Sequence, residues 1–147
     1  MTNNSERGGY RLTRTGRCLL GLWTLALLAG FAAAASVPPD PRGYGTHEAF
    51  GMPACSFRQT LNIPCPSCGM TTSFSHFVRG QFVQSARANR AGLFLATACL
   101  LQIPWCWLSI YQGRLWNIDR PDVALLYGFV AMSVVVLCHW SLLIFFG

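Results

Sequence analysis

The sequence has no lysine and only five acidic residues, Glu6, Asp40, Glu48, Asp119 and Asp122, among 147 positions. Charged residues make up 11% of the chain, against about 25% in an ordinary soluble domain. So few charges cannot cover a water-soluble surface, whereas lipid needs no such cover. The shortage of carboxylates also removes most acid–base chemistry, because all five lie in tail or loop sequence and none is paired within an apolar run. A glycine-rich phosphate loop and a Gly-x-Ser-x-Gly elbow are both missing. No strand–helix–strand pattern of the thioredoxin kind surrounds any cysteine.

All 11 basic residues are arginine, and the net charge is +6. These arginines flank apolar segments instead of forming a patch with interleaved aromatics, which argues against nucleic acid as a partner. Basic residues beside an apolar run are the usual mark of the cytoplasmic flank of a membrane span.

Long apolar runs are what the chain does have, at 52% hydrophobic composition. Its length suits one domain. Residues 1–17, with Arg7, Arg11, Arg14 and Arg17, read as a disordered basic cytoplasmic tail. Residues 18–36 carry no charge over 19 positions, close to the roughly 20 needed to cross the hydrocarbon core. A basic start, an apolar run and "AAAAS" also describe a signal peptide, but the run exceeds an h-region of about 7–15 residues. A retained span is therefore favoured, and both readings send residues 37–90 to the extracytoplasmic side. The stretch "VPPDPRGYG", residues 37–45, ends the first helix through three prolines and two glycines.

From Cys68 a helical period begins. Met70, Phe74 and Phe77 fall on one side, and Cys68, Thr72, Ser75 and Arg79 on the other. This amphipathic helix, 68–86, is expected either to lie in the membrane interface or to pack on the bundle by its aromatic face. Residues 91–111 form a second span, with Pro104 expected to kink it and Trp105, Trp107 and Tyr111 as an interfacial belt. Residues 112–122 read as a cytoplasmic turn, and residues 123–146 as a third span of 24 uncharged residues. Arg79, Arg87 and Arg90 run against this orientation, but the first helix usually dominates it, so the N-terminus is expected in the cytoplasm. The fold class is an all-α membrane protein. It has three transmembrane helices (or a signal peptide plus two), an extracytoplasmic cysteine loop and a short amphipathic helix.

Of seven cysteines, Cys18, Cys99, Cys106 and Cys138 fall in apolar runs, where a thiol serves as a small apolar side chain. Cys55, Cys65 and Cys68 share one polar loop. Pro64 and Pro66 stiffen the approach to the pair, and Cys68 falls near a helix start, where unpaired N–H groups favour a thiolate. Three chemistries fit. One is a structural disulfide, ordinary in an oxidising compartment. Another is redox cycling of Cys65 and Cys68, which needs an accessible cysteine of low pKa. The last is a soft metal such as zinc held by Cys55, Cys65 and Cys68, with His76 or His47 as the fourth ligand. A second Cys-x-x-Cys or a His-x-x-x-His, the usual completion of a zinc set, is missing. His139 lies inside the third span, where an ionisable residue marks a functional candidate unless interfacial burial explains it.

The run "CSFRQTLNIPCPSCGMTTSFSHFVRGQFVQSARANRAG" resembles a family of small bacterial membrane proteins of unknown function. That family is marked by Cys-Pro-x-Cys-Gly-x-Thr-Arg. Cys55 matches its early cysteine, Cys65, Pro66, Cys68, Gly69 and Thr71 its core, and Arg79–Gly80 its mid-helix pair. Two positions depart from it: Thr72 stands in place of the usual arginine, and Asn62 in place of a common glycine. The resemblance implies the architecture over residues 55 to about 146 and no particular activity. The sequence therefore describes a small integral membrane protein of the bacterial inner membrane, more a non-enzymatic module than an enzyme. Its partners would be the bilayer and other membrane proteins, and its Cys-x-x-Cys loop would be held by a disulfide or a metal. The alternative is a membrane-tethered thiol–disulfide protein. No cofactor beyond a soft metal is expected.

Overall fold

The computed structural model describes residues 9–61 and 65–146. Arg7 of the basic tail, Asn62 and Pro64 lie outside the described residues. In chain order the elements are α1 (Arg14–Ser36), a 3₁₀ turn (Thr46–Phe50), α2 (Ser56–Leu61), α3 (Met70–Phe77), α4 (Phe82–Ala88), α5 (Arg90–Gln112) and α6 (Pro121–Phe146). No strand occurs among the described residues. Helices α1, α5 and α6 are each long and apolar enough to cross a membrane.

The span boundaries move outward because local caps set them. Thr13 accepts a hydrogen bond from the Gly16 N–H at 3.1 Å and starts α1 four residues before the uncharged run. Asn89 caps α5, and Gly113, at φ 69°, closes it in the left-handed conformation. Helix α5 is continuous through Pro104. Pro121 opens α6, with Asp122 in the first turn. The end of the tail is also ordered. Tyr10 donates to the Ile118 carbonyl at 2.8 Å, Leu12 to Gly113 at 3.0 Å, and Leu115 back to Tyr10 at 2.9 Å. The turn between α5 and α6 thus pairs with the chain ahead of α1, which places both on one side of the bundle.

The amphipathic segment differs from expectation in two ways. First, it is two helices, α3 and α4, because Gly80 at φ 71° turns the chain between them. Second, it is covered on both sides: Thr72 and Ser75 of the polar side are fully buried, as is Ser73, and Phe77 of the aromatic side is buried too. Helix α3 packs on α1, α4 and α5, so it belongs to the bundle. Phe74 and Phe77 meet Phe31 of α1 at ring separations of 5.9 and 6.2 Å.

Arg79 ties this cap to the end of α1. Its guanidinium donates to the carbonyls of Ala34 (3.2 Å), Ala35 (2.9 Å) and Val37 (2.9 Å), and to Ser75. Those are carbonyls a helix C-terminus leaves without partners. Helix α5, which packs on α1, α3, α4 and α6, buries small side chains, as is usual in lipid: Ala91, Gly92, Ala96, Cys106 and Ser109. Trp23 of α1 donates its indole N–H to Gln102 of α5 at 3.1 Å. Helix α6 packs on α5 and leaves most of its apolar surface outward, with Leu125 75% and Phe129 74% exposed.

Candidate metal centre

The cap formed by the loop, α3 and α4 holds the three loop cysteines. Cys55 directly precedes α2, and its carbonyl accepts from Gln59 at 3.1 Å. Cys65 and Cys68 bracket a tight turn, closed by the Cys68 N–H on the Cys65 carbonyl at 3.0 Å. The Sγ atoms of Cys55, Cys65 and Cys68 all lie within 4.8 Å of one another, half-buried and with no disulfide between them.

Three features force this turn. The first is Gly69, at φ 81°. A Cβ there would strike the Ala88 carbonyl and lie 2.7 Å from that of Gly43, so only glycine fits. The second is Asn89, fully buried. Its amide Nδ2 donates to the Cys68 carbonyl at 2.9 Å and the Pro66 carbonyl at 3.4 Å, while its Oδ1 accepts from Gly92 N–H at 2.8 Å. One side chain therefore caps α5 and holds the cysteine turn. The third is a buried hydroxyl pair beside it. The Ser73 and Ser85 hydroxyls meet at 2.8 Å, with the Asn89 carbonyl 3.1 Å from the first and the Ser73 carbonyl 2.9 Å from the second, so that two protons serve three contacts. Gly92 admits this packing, since a Cβ on it would lie 2.8 Å from Ser73.

The expected lowering of the Cys68 pKa is not found. Cys68 lies in the turn ahead of α3, whose N-cap is Gly69. Burial, followed by the hydrogen bond to Cys55, pushes its thiol up. The histidines stand apart from the sulfurs. His76 pairs its Nδ1 with Gln81 Oε1 at 2.7 Å, His47 lies in the 3₁₀ turn, and neither joins the cluster of ligand atoms. His139 is buried in α6 with Nε2 lacking a hydrogen-bond partner among the described residues.

Asn89, Ser73 and Ser85 are not among the residues that the cysteine motif singles out. Asn89 carried a legible signal as an N-cap residue directly before an apolar run. The serines carried none, since short polar residues on an amphipathic helix read as its wet side.

Residues 55–103 match the family model described as protein of unknown function (DUF2752). The matched segment begins at the first cysteine of the cluster, covers α2 to α4 and ends inside α5. No curated protein and no solved structure matches the chain.

Proposed function

We propose that the chain is a small, non-enzymatic integral membrane protein whose outer cap holds one soft metal ion on Cys55, Cys65 and Cys68. The observation that carries this reading is the meeting of three sulfurs within 4.8 Å. A disulfide needs two and leaves the third without a role. A metal about 2.3 Å from each of three thiolates sets them roughly 3.8 to 4.0 Å apart, so a small contraction of the cluster suffices. Thiolate ligands select ions such as copper(I) and zinc. The three thiols release their protons to solvent as the ion binds. Any fourth position is open to water or to a group on a partner membrane protein.

In this reading the metal staples the loop onto α3 and α5, and the N-terminus faces the cytoplasm of a bacterial inner membrane. The bonds that tie α1 to α3 and α5 support a retained first span. Redox cycling would use the same Cys65 and Cys68, but it requires an accessible thiol of low pKa, and burial acts on Cys68 in the opposite sense.

The test is elemental analysis of the full chain, purified in detergent without a metal-chelating tag, together with mass-shift alkylation of its cysteines. About one soft metal ion per chain is expected, lost in each of C55S, C65S and C68S and retained in C138S. A metal-free chain with Cys65 and Cys68 fully oxidised would overturn the reading in favour of a disulfide.

A further inference from the structure

A second site lies behind the cysteine turn. Five arginines, Arg42, Arg58, Arg79, Arg87 and Arg90, belong to the cap side of the chain, against only Asp40 and Glu48. Orientation rules expect few arginines on an outer face. Two of them have structural work. Arg79 binds the end of α1 as described above, and Arg42 pairs with Asp40 at 2.7 Å and Glu48 at 3.0 Å. Arg87 has no ion-pair partner among the described residues.

Arg87 lines a cleft of about 320 Å³ with Gln84, His76, Arg42 and Asp40. The Asp40 carboxylate stays ionised, held below the usual carboxylate range by hydrogen bonds from Arg42, and its charge is engaged by that guanidinium. That leaves the Arg87 guanidinium, the Gln84 amide and the His76 ring facing the same space. Gln84 and Arg87 are three apart on α4 and so share a face. Val83, one turn before Arg87 on the same short helix, is 62% exposed, and Phe82, 56% exposed, packs edge-on against Phe77. The loop carrying Asp40 and Arg42 leaves α1 shortly after Ser36, where that span ends. A cation-bearing cleft beside exposed apolar side chains, at the end of a span, is the arrangement that places phosphate over arginine and side chains in acyl tails.

We propose that this cleft binds the phosphate of an anionic lipid headgroup, with Arg87 as the principal contact and Gln84 and His76 beside it. Guanidinium suits phosphate because its planar fork of donors matches two phosphate oxygens. Gly43 and Ala88, whose carbonyls close over Gly69, also line the cleft. The lipid and the cysteine turn would thus share a wall, although neither proposal requires the other.

The experiment titrates the full chain in a neutral detergent with soluble short-chain phosphatidylglycerol, with the matching phosphatidylcholine, and with inorganic phosphate, read by calorimetry. Phosphatidylglycerol is expected to bind and phosphatidylcholine to bind at least about tenfold more weakly, the value of one charge-assisted contact. R87Q should weaken phosphatidylglycerol by about ten- to a hundredfold, and R120Q, at the opposite end of the molecule, should leave it unchanged. Q84E, which keeps the size of the side chain and adds a negative charge, should show the same loss and guards against R87Q failing to fold. Undiminished binding in both R87Q and Q84E, or equal binding of the two lipids, would overturn the proposal. Inorganic phosphate binding through Arg87 without phosphatidylglycerol binding would overturn the lipid assignment.

Discussion

The hydroxyls of Thr46 and Thr72 meet at 2.8 Å, both buried. Thr46 also accepts the Asp40 N–H at 3.0 Å, so this contact fastens the loop after α1 to the first turns of α3. It accounts for Thr72 at a position where the resembled family carries arginine: here the side chain is enclosed, and no long cation fits. Thr72→Val should lower stability by about 1 kcal/mol through loss of one buried hydrogen bond. Thr72→Arg should be far worse, by about 3 kcal/mol or more, because it drives a charge into a closed site. Thermal unfolding in detergent checks both.

Gly69 tolerates no side chain. Gly69→Ala combines a disfavoured backbone conformation with a clash against two carbonyls. A loss of about 3 kcal/mol or more is expected, and with it the loss of bound metal, read by unfolding and elemental analysis on the same preparation.

Arg79 and lysine should not be interchangeable. The guanidinium spans three carbonyls at the end of α1, those of Ala34, Ala35 and the C-cap Val37, with two nitrogens, and an ammonium cannot reproduce that fork. Arg79→Lys should destabilise by about 1 kcal/mol and Arg79→Ala by about 2 to 3 kcal/mol. Accelerated proteolysis between α1 and α3 would provide a second readout.

Cys68 gives a pH dependence with a definite sign. Its folded thiol sits above the ordinary value of 9.0, so in the metal-free protein its contribution to stability is complete below that value. It is lost as pH rises through the folded pKa. Metal binding runs the other way, since protons compete for the sulfurs and acid releases the ion. Metal-free protein should therefore lose melting temperature in alkali, and loaded protein should lose its metal in acid. A melting temperature that rose with pH above 9.0 in the metal-free protein would contradict the burial of this thiol.

Much of this architecture could be read directly, because uncharged stretches near the thickness of a bilayer leave few alternatives. The proximity of Cys55 to Cys65 and Cys68 was also visible as three thiols in one polar loop. What pattern could not reveal was the inward turn of Thr72, Ser73 and Ser75. A helical period says which residues share a side, not which side is wet, and in a cap braced by Asn89 and Ser85 the polar side is packed as well as the aromatic one. Gly80 was legible as a glycine but not as a corner, since a single glycine inside a helical pattern is often accommodated. His76 stood one turn past Thr72 and so invited a place beside the sulfurs. Its ring instead turns to Gln81, the nearest partner once the chain bends at Gly80.

Asn89 joins two parts that would otherwise move separately. Because its two ends grip the cysteine turn and the first turn of α5, any tilt or rotation of that span must pull on the Cys68 carbonyl. Bilayer thickness and neighbouring helices act on the span directly, and through this one amide they acquire a lever on the spacing of the sulfurs.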